Sequence, residues 1–416
     1  MAAAAILAAA CNNNQPSTQQ ETSKAAAPGS FAFDLAFLQT HDSVIVLQSD
    51  GGKAQVIVSP KYQAKVFTST ADGHEGKSFG WIHYKAFTGP VDAHMNGYGG
   101  ENRIWLGPEG GKYSLFFPKG AAMEFANWKT PAAFDTEAWK VTKRDTGSVS
   151  MQKDMQLVNY AGTPLFLSVT REVAILSRRV IDSMLQSQDT ALKVVGYRTD
   201  NVLTNTGARE WNETTGMPCI WMLDMFNPSP ATVIVIPHKA SGGMGAGTGG
   251  AKGAKHGGGN KVATTDYFGE IPADRIRIDD STLFFKADGK SRGKLGIHPA
   301  YALPRAGSYD AQNKVLTLTM FDVDPAGKYL NQEWKMTKPA FSGDAVNAYN
   351  DGPLADGSQM GPFYEIESVS PAAFLKPGQS LHHQHMVFHF TGDEAALDKV
   401  SRAWLGVSLD AIKKVF

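Results

Sequence analysis

Three stretches lie close together near the C-terminus: Phe363-Tyr364-Glu365-Ile366-Glu367-Ser368-Val369-Ser370-Pro371, Leu375-Lys376-Pro377-Gly378-Gln379, and Leu381-His382-His383-Gln384-His385-Met386-Val387-Phe388-His389-Phe390. The outer two are rich in aromatic and β-branched residues, and the Pro-Gly between them is a turn signal. They predict strand, turn, strand. Side chains alternate between the two faces of a strand. Glu365 and Glu367 therefore share one face, with Tyr364 and Ile366 on the other. His383, His385 and His389 also share a face, opposite His382, Gln384, Met386, Phe388 and Phe390. Two adjacent carboxylates repel when both ionise, so one keeps its proton toward neutral pH, which suits a general base or acid. Three His on one face suggest a proton-transfer site or a metal site. At the strand rise His383 and His385 are about 6–7 Å apart, within reach of one ion, while His389 lies roughly 13 Å beyond His385.

The rest of the body reads the same way. Val44–Leu47, Ala54–Val58, Ala64–Thr68, Tyr113–Phe117, Val149–Met155, Leu165–Val173, Thr232–Ile236 and Val315–Met320 are strand-like runs parted by turn signals such as Asp50-Gly51-Gly52 and Ser59-Pro60. Few segments have a convincing helical period; Phe33–Leu38 is one, and Asp393–Phe416, where Asp393 and Ser408 are candidate caps, is another. Strand after strand without alternating helices predicts an all-β sandwich or barrel, not a βαβ sheet.

The chain has 416 residues, with 40 Lys plus Arg against 40 Asp plus Glu. Zero net charge and no long basic run exclude the cationic footprint of a nucleic-acid binder. Charged residues at 19% and hydrophobics at 42% place it among globular chains. No apolar run approaches the ~20 residues of a membrane helix. Two Cys make no disulfide framework, and Cys219, in the apolar run MPCIWML, reads as a buried inert thiol. Met1–Cys11 (MAAAAILAAAC) resembles the end of a bacterial lipoprotein signal. It implies a lipid on Cys11, a polar tether over 12–29, and a domain anchored at the outer membrane, facing the periplasm or the cell surface. Residues 30–416 read as one domain. The Gly-rich run 241–259 lacks a phosphate-loop pattern and is expected to be a disordered surface insertion.

Two further clusters carry polar chemistry. His94-Met95-Asn96-Gly97-Tyr98-Gly99-Gly100-Glu101-Asn102-Arg103-Ile104-Trp105, continuing to Glu109, packs hydroxyl-binding groups and an aromatic platform among glycines that permit close backbone approach. Asn347-Ala348-Tyr349-Asn350-Asp351-Gly352-Pro353 is polar loop chemistry that adds Asn350 and Asp351.

A Glu-bearing strand, a Leu-x-Pro-Gly-Gln turn and a long strand together resemble the C-terminal part of the galactose-mutarotase-like (aldose 1-epimerase) superfamily. Asn205-Thr206-Gly207 ahead of Trp221 is similar to that family's mid-chain segment, and Gly99–Glu109 is similar to the GG-x-R-x-W-x-x-P pattern of its uncharacterised branches. The chain looks most like an uncharacterised bacterial lipoprotein family of that superfamily. The resemblance implies a β-supersandwich of two large antiparallel sheets with a short C-terminal helix and a sugar site on the concave face. It implies mutarotase-like proton transfer on a sugar or uronic acid. Glu365 by preference, or Glu367, takes the anomeric hydroxyl proton, and His383 or His385 protonates the ring oxygen. His94, Asn96, Glu101, Asn102, Arg103, Glu109, Asn350 and Asp351 hold hydroxyls, and Trp105 stacks on the sugar. No metal or other cofactor is implied. Two alternatives remain: a non-catalytic glycan-binding lipoprotein on the same face, or a lyase or isomerase on uronic acids.

Overall fold

The computed structural model describes residues 26–186, 189–240 and 262–416. Cys11, most of the expected tether and the Gly-rich run 241–259 lie outside the described residues. The strands are β1 (Ile45–Ser49), β2 (Ala54–Ser59), β3 (Lys65–Thr70), β4 (Arg103–Gly107), β5 (Lys140–Arg144), β6 (Ser148–Val158) and β7 (Pro164–Ile175). They continue as β8 (Leu192–Asn205), β9 (Cys219–Phe226), β10 (Thr232–Pro237), β11 (Ala263–Thr264), β12 (Ile276–Ile278) and β13 (Thr282–Lys286). The last are β14 (Gly293–Ile297), β15 (Arg305–Asp310), β16 (Val315–Phe321), β17 (Val346–Asn350), β18 (Tyr364–Val369) and β19 (Ser380–Gly392).

These form a ten-stranded sheet, β12-β13-β10-β15-β16-β19-β8-β7-β6-β5, a six-stranded sheet, β11-β14-β17-β18-β9-β4, and a small sheet, β1-β2-β3. Pairing of the named strands is antiparallel, so the expected supersandwich of two large sheets is present. The small third sheet is an addition. The two large sheets meet over a shared core that includes Ile104, Leu106, Val195, Ile220, Met222, Leu295, Ile366 and Val387.

Helices α1 (Phe31–Gln39), α2 (Arg178–Leu185), α3 (Glu394–Leu405) and α4 (Leu409–Lys413) complete the chain. Alternation along β19 sends Val387 and His389 inward and Phe388 and Phe390 outward. The outward residues pack with Ile181 of α2, Leu397 and Val400 of α3, and Ile412 of α4. Asp393 caps α3 by accepting from the Ala395 and Ala396 N–H groups, and Ser408 caps α4 through Ala411, as the sequence predicts. Tyr113–Phe117 corrects the reading. The run forms no strand but a buried loop, in which Phe116 packs on Trp105 and Phe117 on Trp334.

Candidate functional site

The face of the six-stranded sheet turned away from the ten-stranded one carries a polar cluster. Register places Gly296, Asn347, Glu367, Leu223 and Arg103 in one row across β14, β17, β18, β9 and β4. The next row is Lys294, Tyr349, Glu365 and Met225. A third row brings Val369, Trp221 and Trp105 alongside. Strict alternation along five short strands is what gathers these side chains from distant parts of the sequence.

The two carboxylates differ in their partners. Glu367 accepts from Lys294 Nζ at 2.9 and 2.8 Å and from Trp221 Nε1 at 2.8 Å. Glu365 accepts from Arg103 Nη2 at 2.9 Å through Oε1. Its Oε2 makes no hydrogen bond among the described residues. Glu367 is 0% exposed and Glu365 5%, beside Arg103 at 7% and Lys294 at 6%. Access to this face is thus narrow, with Arg103, Lys294 and Glu365 each only slightly exposed. Burial pushes the Glu365 carboxyl up to about 7; Arg103 opposes this and the Glu367 charge adds to it. Each cation also lies over an indole, Arg103 at 4.3 Å from the Trp105 ring and Lys294 at 4.7 Å from Trp221.

Around this pair Tyr349 donates to Asp351 Oδ1 at 2.9 Å, and burial raises its phenol. Tyr267 donates to Asp344 Oδ2 at 2.7 Å and receives Asn347 Nδ2 at 3.2 Å. His298 Nδ1 lies 2.8 Å from Asp344 Oδ1, and that carboxylate raises the imidazole. Gly296 lets these groups meet: a Cβ there would come within 2.1 Å of Asp344 Oδ2. Glu109 borders the cluster, its carboxyl raised by burial and lowered in part by Lys294.

An open cavity of about 520 Å³ lies elsewhere, lined by Asp34, Lys77, Trp81, Tyr84 and Asn227 among others. Trp81 on its lining packs with Phe363, Tyr349 and Met225, and the last two flank Glu365 in the sheet. The cavity therefore adjoins the polar face across Trp81.

Of the residues singled out from the sequence, Glu365, Glu367, Arg103, Trp105, Glu109 and Asp351 gather at or beside this face. The expected pairing of Glu365 or Glu367 with His383 or His385 does not occur. His383, His385 and His389 point between the sheets, 0–1% exposed. Ser368, on the opposite face of β18 from the two Glu, bridges His383 Nε2 at 2.9 Å and His385 Nδ1 at 2.8 Å. His385 Nε2 meets Asp224 Oδ2 at 2.7 Å. The order Ser368, His385, Asp224 has the residue types of a nucleophile triad. All three are fully buried, and the hydroxyl is shared with a second His. It is a core network without substrate access. Burial, reinforced by His385, drives the His383 imidazole down to about 3, so it stays neutral.

The first polar cluster divides for the same reason. Arg103 and Trp105 take the open face. Asn102 faces the core, bonded to Asp224 at 2.6 Å and to Arg171, and Glu101 meets His389 at 3.0 Å and Ser69 at 2.7 Å. Trp105 is no free stacking platform, because Arg103 covers its ring. His94 stacks on Phe125 and bonds to the Trp128 carbonyl in a surface loop, and Asn96 binds Asp135. Asn350 fixes the 289–291 turn through Gly289 N and the Ser291 carbonyl. Sequence reading missed Lys294, Tyr267, Asp344 and His298 as site residues, and it gave no role to Asn347 or Trp221 although both lay in segments it singled out. The signal for Lys294 was a Lys inside the otherwise apolar strand Gly293-Lys294-Leu295-Gly296-Ile297. Cys219 is buried as expected, its thiol raised to about 12 by burial.

Residues 29–416 match the family described as "Family of unknown function (DUF6786)". No curated protein matches the chain. Among solved structures, a candidate aldose 1-epimerase of Escherichia coli aligns at a TM-score of 0.50 and 11% identity, over 84% of this chain and 99% of its own. A protein of Synechocystis sp. PCC 6803 aligns at 0.50 and 13% identity, over 85% and 96%. A galactose mutarotase-like protein of Lactobacillus casei aligns at 0.45 and 10% identity, over 83% and 100%. At these identities the likeness is one of fold.

Proposed function

Because the chain belongs to the family of unknown function DUF6786 and has the galactose-mutarotase-like (aldose 1-epimerase) fold, we propose that it binds a sugar at the Glu365 face and transfers protons at the anomeric centre. One observation supports this reading: on this face Glu365 combines a carboxyl pushed up to about 7 with an oxygen that makes no hydrogen bond among the described residues. A base with its pKa near the working pH is efficient.

In the proposed reaction Glu365 takes the proton from the anomeric O1. The O1 electron pair forms the C1=O1 double bond, and the C1–O5 bond breaks toward O5. Lys294, in the same row as Glu365, supplies the proton to O5 in place of the core His residues. Glu367 holds Lys294 in position, and Arg103 orients Glu365. Rotation about C1–C2 and the reverse steps give the other anomer.

Following anomer interconversion of hexoses and uronic acids by NMR tests this. Acceleration that disappears in Glu365→Gln supports it; no acceleration with any sugar refutes it. The competing reading is a non-catalytic glycan binder on the same face. Two facts favour it: both carboxylates are already answered by cations, and access is narrow. It predicts saturable binding without turnover, little changed in Glu365→Gln. A lipid on Cys11 would place the domain at the cell envelope. Palmitate labelling that is lost in Cys11→Ser checks that placement.

A further inference from the structure

Arg103 and Lys294 each have a carboxylate partner on the site face. Arg292 has none. It immediately precedes β14, where Gly293 pairs with Asn350, so Arg292 stands opposite Asp351 and shares the face of Lys294. Asp351 is the acid that register offers it, and that carboxylate is spent elsewhere. It accepts Tyr349 OH at 2.9 Å and Gly361 N at 3.1 Å. Among the described residues Arg292 makes no ion pair.

The side chain is nonetheless held. Its guanidinium carbon lies 3.9 Å from the centroid of the Phe268 ring, and its Nε donates to Tyr349 OH at 3.3 Å. Phe268 is itself 46% exposed, so the stacked pair lies at the solvent edge of the face. With Nε used and one guanidinium face covered, both Nη groups remain without a protein partner among the described residues. A guanidinium fixed in this way presents a planar fork that matches a carboxylate.

We propose that the sugar handled at this face carries a carboxylate, as a uronate does, and that Arg292 binds it. This rests on the Glu365 face being the sugar site. Arg292 is two strands and one two-residue repeat from Glu365, about 12 Å between Cα atoms. Arg292 reaches into that interval as far as Tyr349, the strand neighbour of Glu365. In a pyranose uronate C1 and the carboxylate-bearing C5 flank the ring oxygen, so the base and the fork address the groups on either side of O5 of one molecule. A single guanidinium balances a monoanion, whereas a phosphate ester would leave a charge unanswered. Sugar phosphates are therefore the control anion.

The test is calorimetric or NMR titration of the full chain with glucuronate, galacturonate, the matching neutral hexoses and their 6-phosphates. The same titrations are run on Arg292→Gln, Arg292→Lys and Phe268→Ala. The wild-type protein is expected to bind a uronate about tenfold or more tighter than the neutral sugar, as suits a charge-assisted bidentate contact. Arg292→Gln should remove that advantage and leave neutral-sugar affinity unchanged. Arg292→Lys should keep part of it, and Phe268→Ala should weaken it. Equal affinity for both sugars, a uronate preference that survives Arg292→Gln, or a preference for the phosphates overturns the proposal while leaving the sugar site standing. Absence of binding by every sugar instead overturns the sugar reading of the face, and this proposal with it.

Discussion

Lys294 Nζ sits 2.9 and 2.8 Å from the two oxygens of Glu367, a carboxylate with no exposed surface. Glu367 has no water to fall back on, and Lys294 has little. Lys294→Met leaves a buried carboxylate with only the Trp221 N–H, and is expected to cost about 3–5 kcal/mol of stability. The double variant Lys294→Met, Glu367→Leu removes both charges and should recover most of that loss, since a buried pair is often replaceable by apolar groups. Urea midpoints of the wild type, the two single variants and the double variant measure this. A double variant no more stable than Lys294→Met would show that the pair is not the unit of stability.

The inter-sheet His residues are expected to act on stability alone. Ser368→Ala removes the hydroxyl that serves both His383 and His385, leaving buried ring nitrogens unpaired at a cost of about 1–3 kcal/mol. At a temperature where the variant is folded, sugar turnover or binding per folded molecule should equal the wild type. A change in its pH profile would return these His to the site.

His383 also sets an acid limit. Its folded-state value is near 3 against 6.5 for a free imidazole, so between those values the unfolded chain binds a proton that the folded chain does not. Its contribution to stability is complete above about pH 6.5 and falls as the pH is lowered toward 3. Replacing His383 by Gln should flatten that part of the curve, as read from denaturant midpoints at pH 7 and pH 4.5.

Much of this architecture is legible along the chain, because alternation in β18 and β19 follows directly from residue type. The sequence separates Glu365 and Glu367 from Tyr364 and Ile366, and the three inward His from their neighbours. It does not reveal which face meets which. A turn between two strands suggests a hairpin within one sheet, which would set the Glu and His faces side by side. Instead β18 lies in the six-stranded sheet and β19 in the ten-stranded one. The His face therefore meets Ser368, and the Glu pair is left on the far side. Lys294 escapes notice for another reason. A lone Lys in a five-residue strand has no local partner, and Glu367, which keeps it buried, is 73 residues away. Tyr113–Phe117 has strand composition but is used as a hydrophobic cover over Trp105. Composition reports burial there, not pairing.

The C-terminal helices offer a local test of packing. Asp393 caps α3 through two backbone N–H groups, at 3.0 and 3.1 Å. The helix buries Leu397, Val400 and Leu405 on the outer face of the ten-stranded sheet. Asp393→Ala should cost about 1 kcal/mol, and Asp393→Asn much less, because Asn caps nearly as well. Thermal midpoints of the two variants check the order.

Glu365 yields two pH effects of opposite direction from one proton. Folding holds its carboxyl near 7, against 4.5 for a free glutamic acid. Between those values the folded protein keeps a proton that the unfolded chain has released. The unfolded state then binds fewer protons, so this group's contribution to stability falls as the pH rises from about 4.5 to about 7, and levels off above. Activity should run the other way. A base must be ionised to accept the anomeric proton, so kcat/KM for interconversion is expected to climb through pH 7 and then plateau. Glu365→Gln should abolish the turnover and also flatten the stability slope over that window. Gln can still accept from Arg103, so the fold should survive the change. Rates and urea midpoints measured from pH 5 to pH 8.5 on both proteins decide the matter. A rate profile centred away from 7, or a stability slope unchanged in Glu365→Gln, would place the titrating base on another residue.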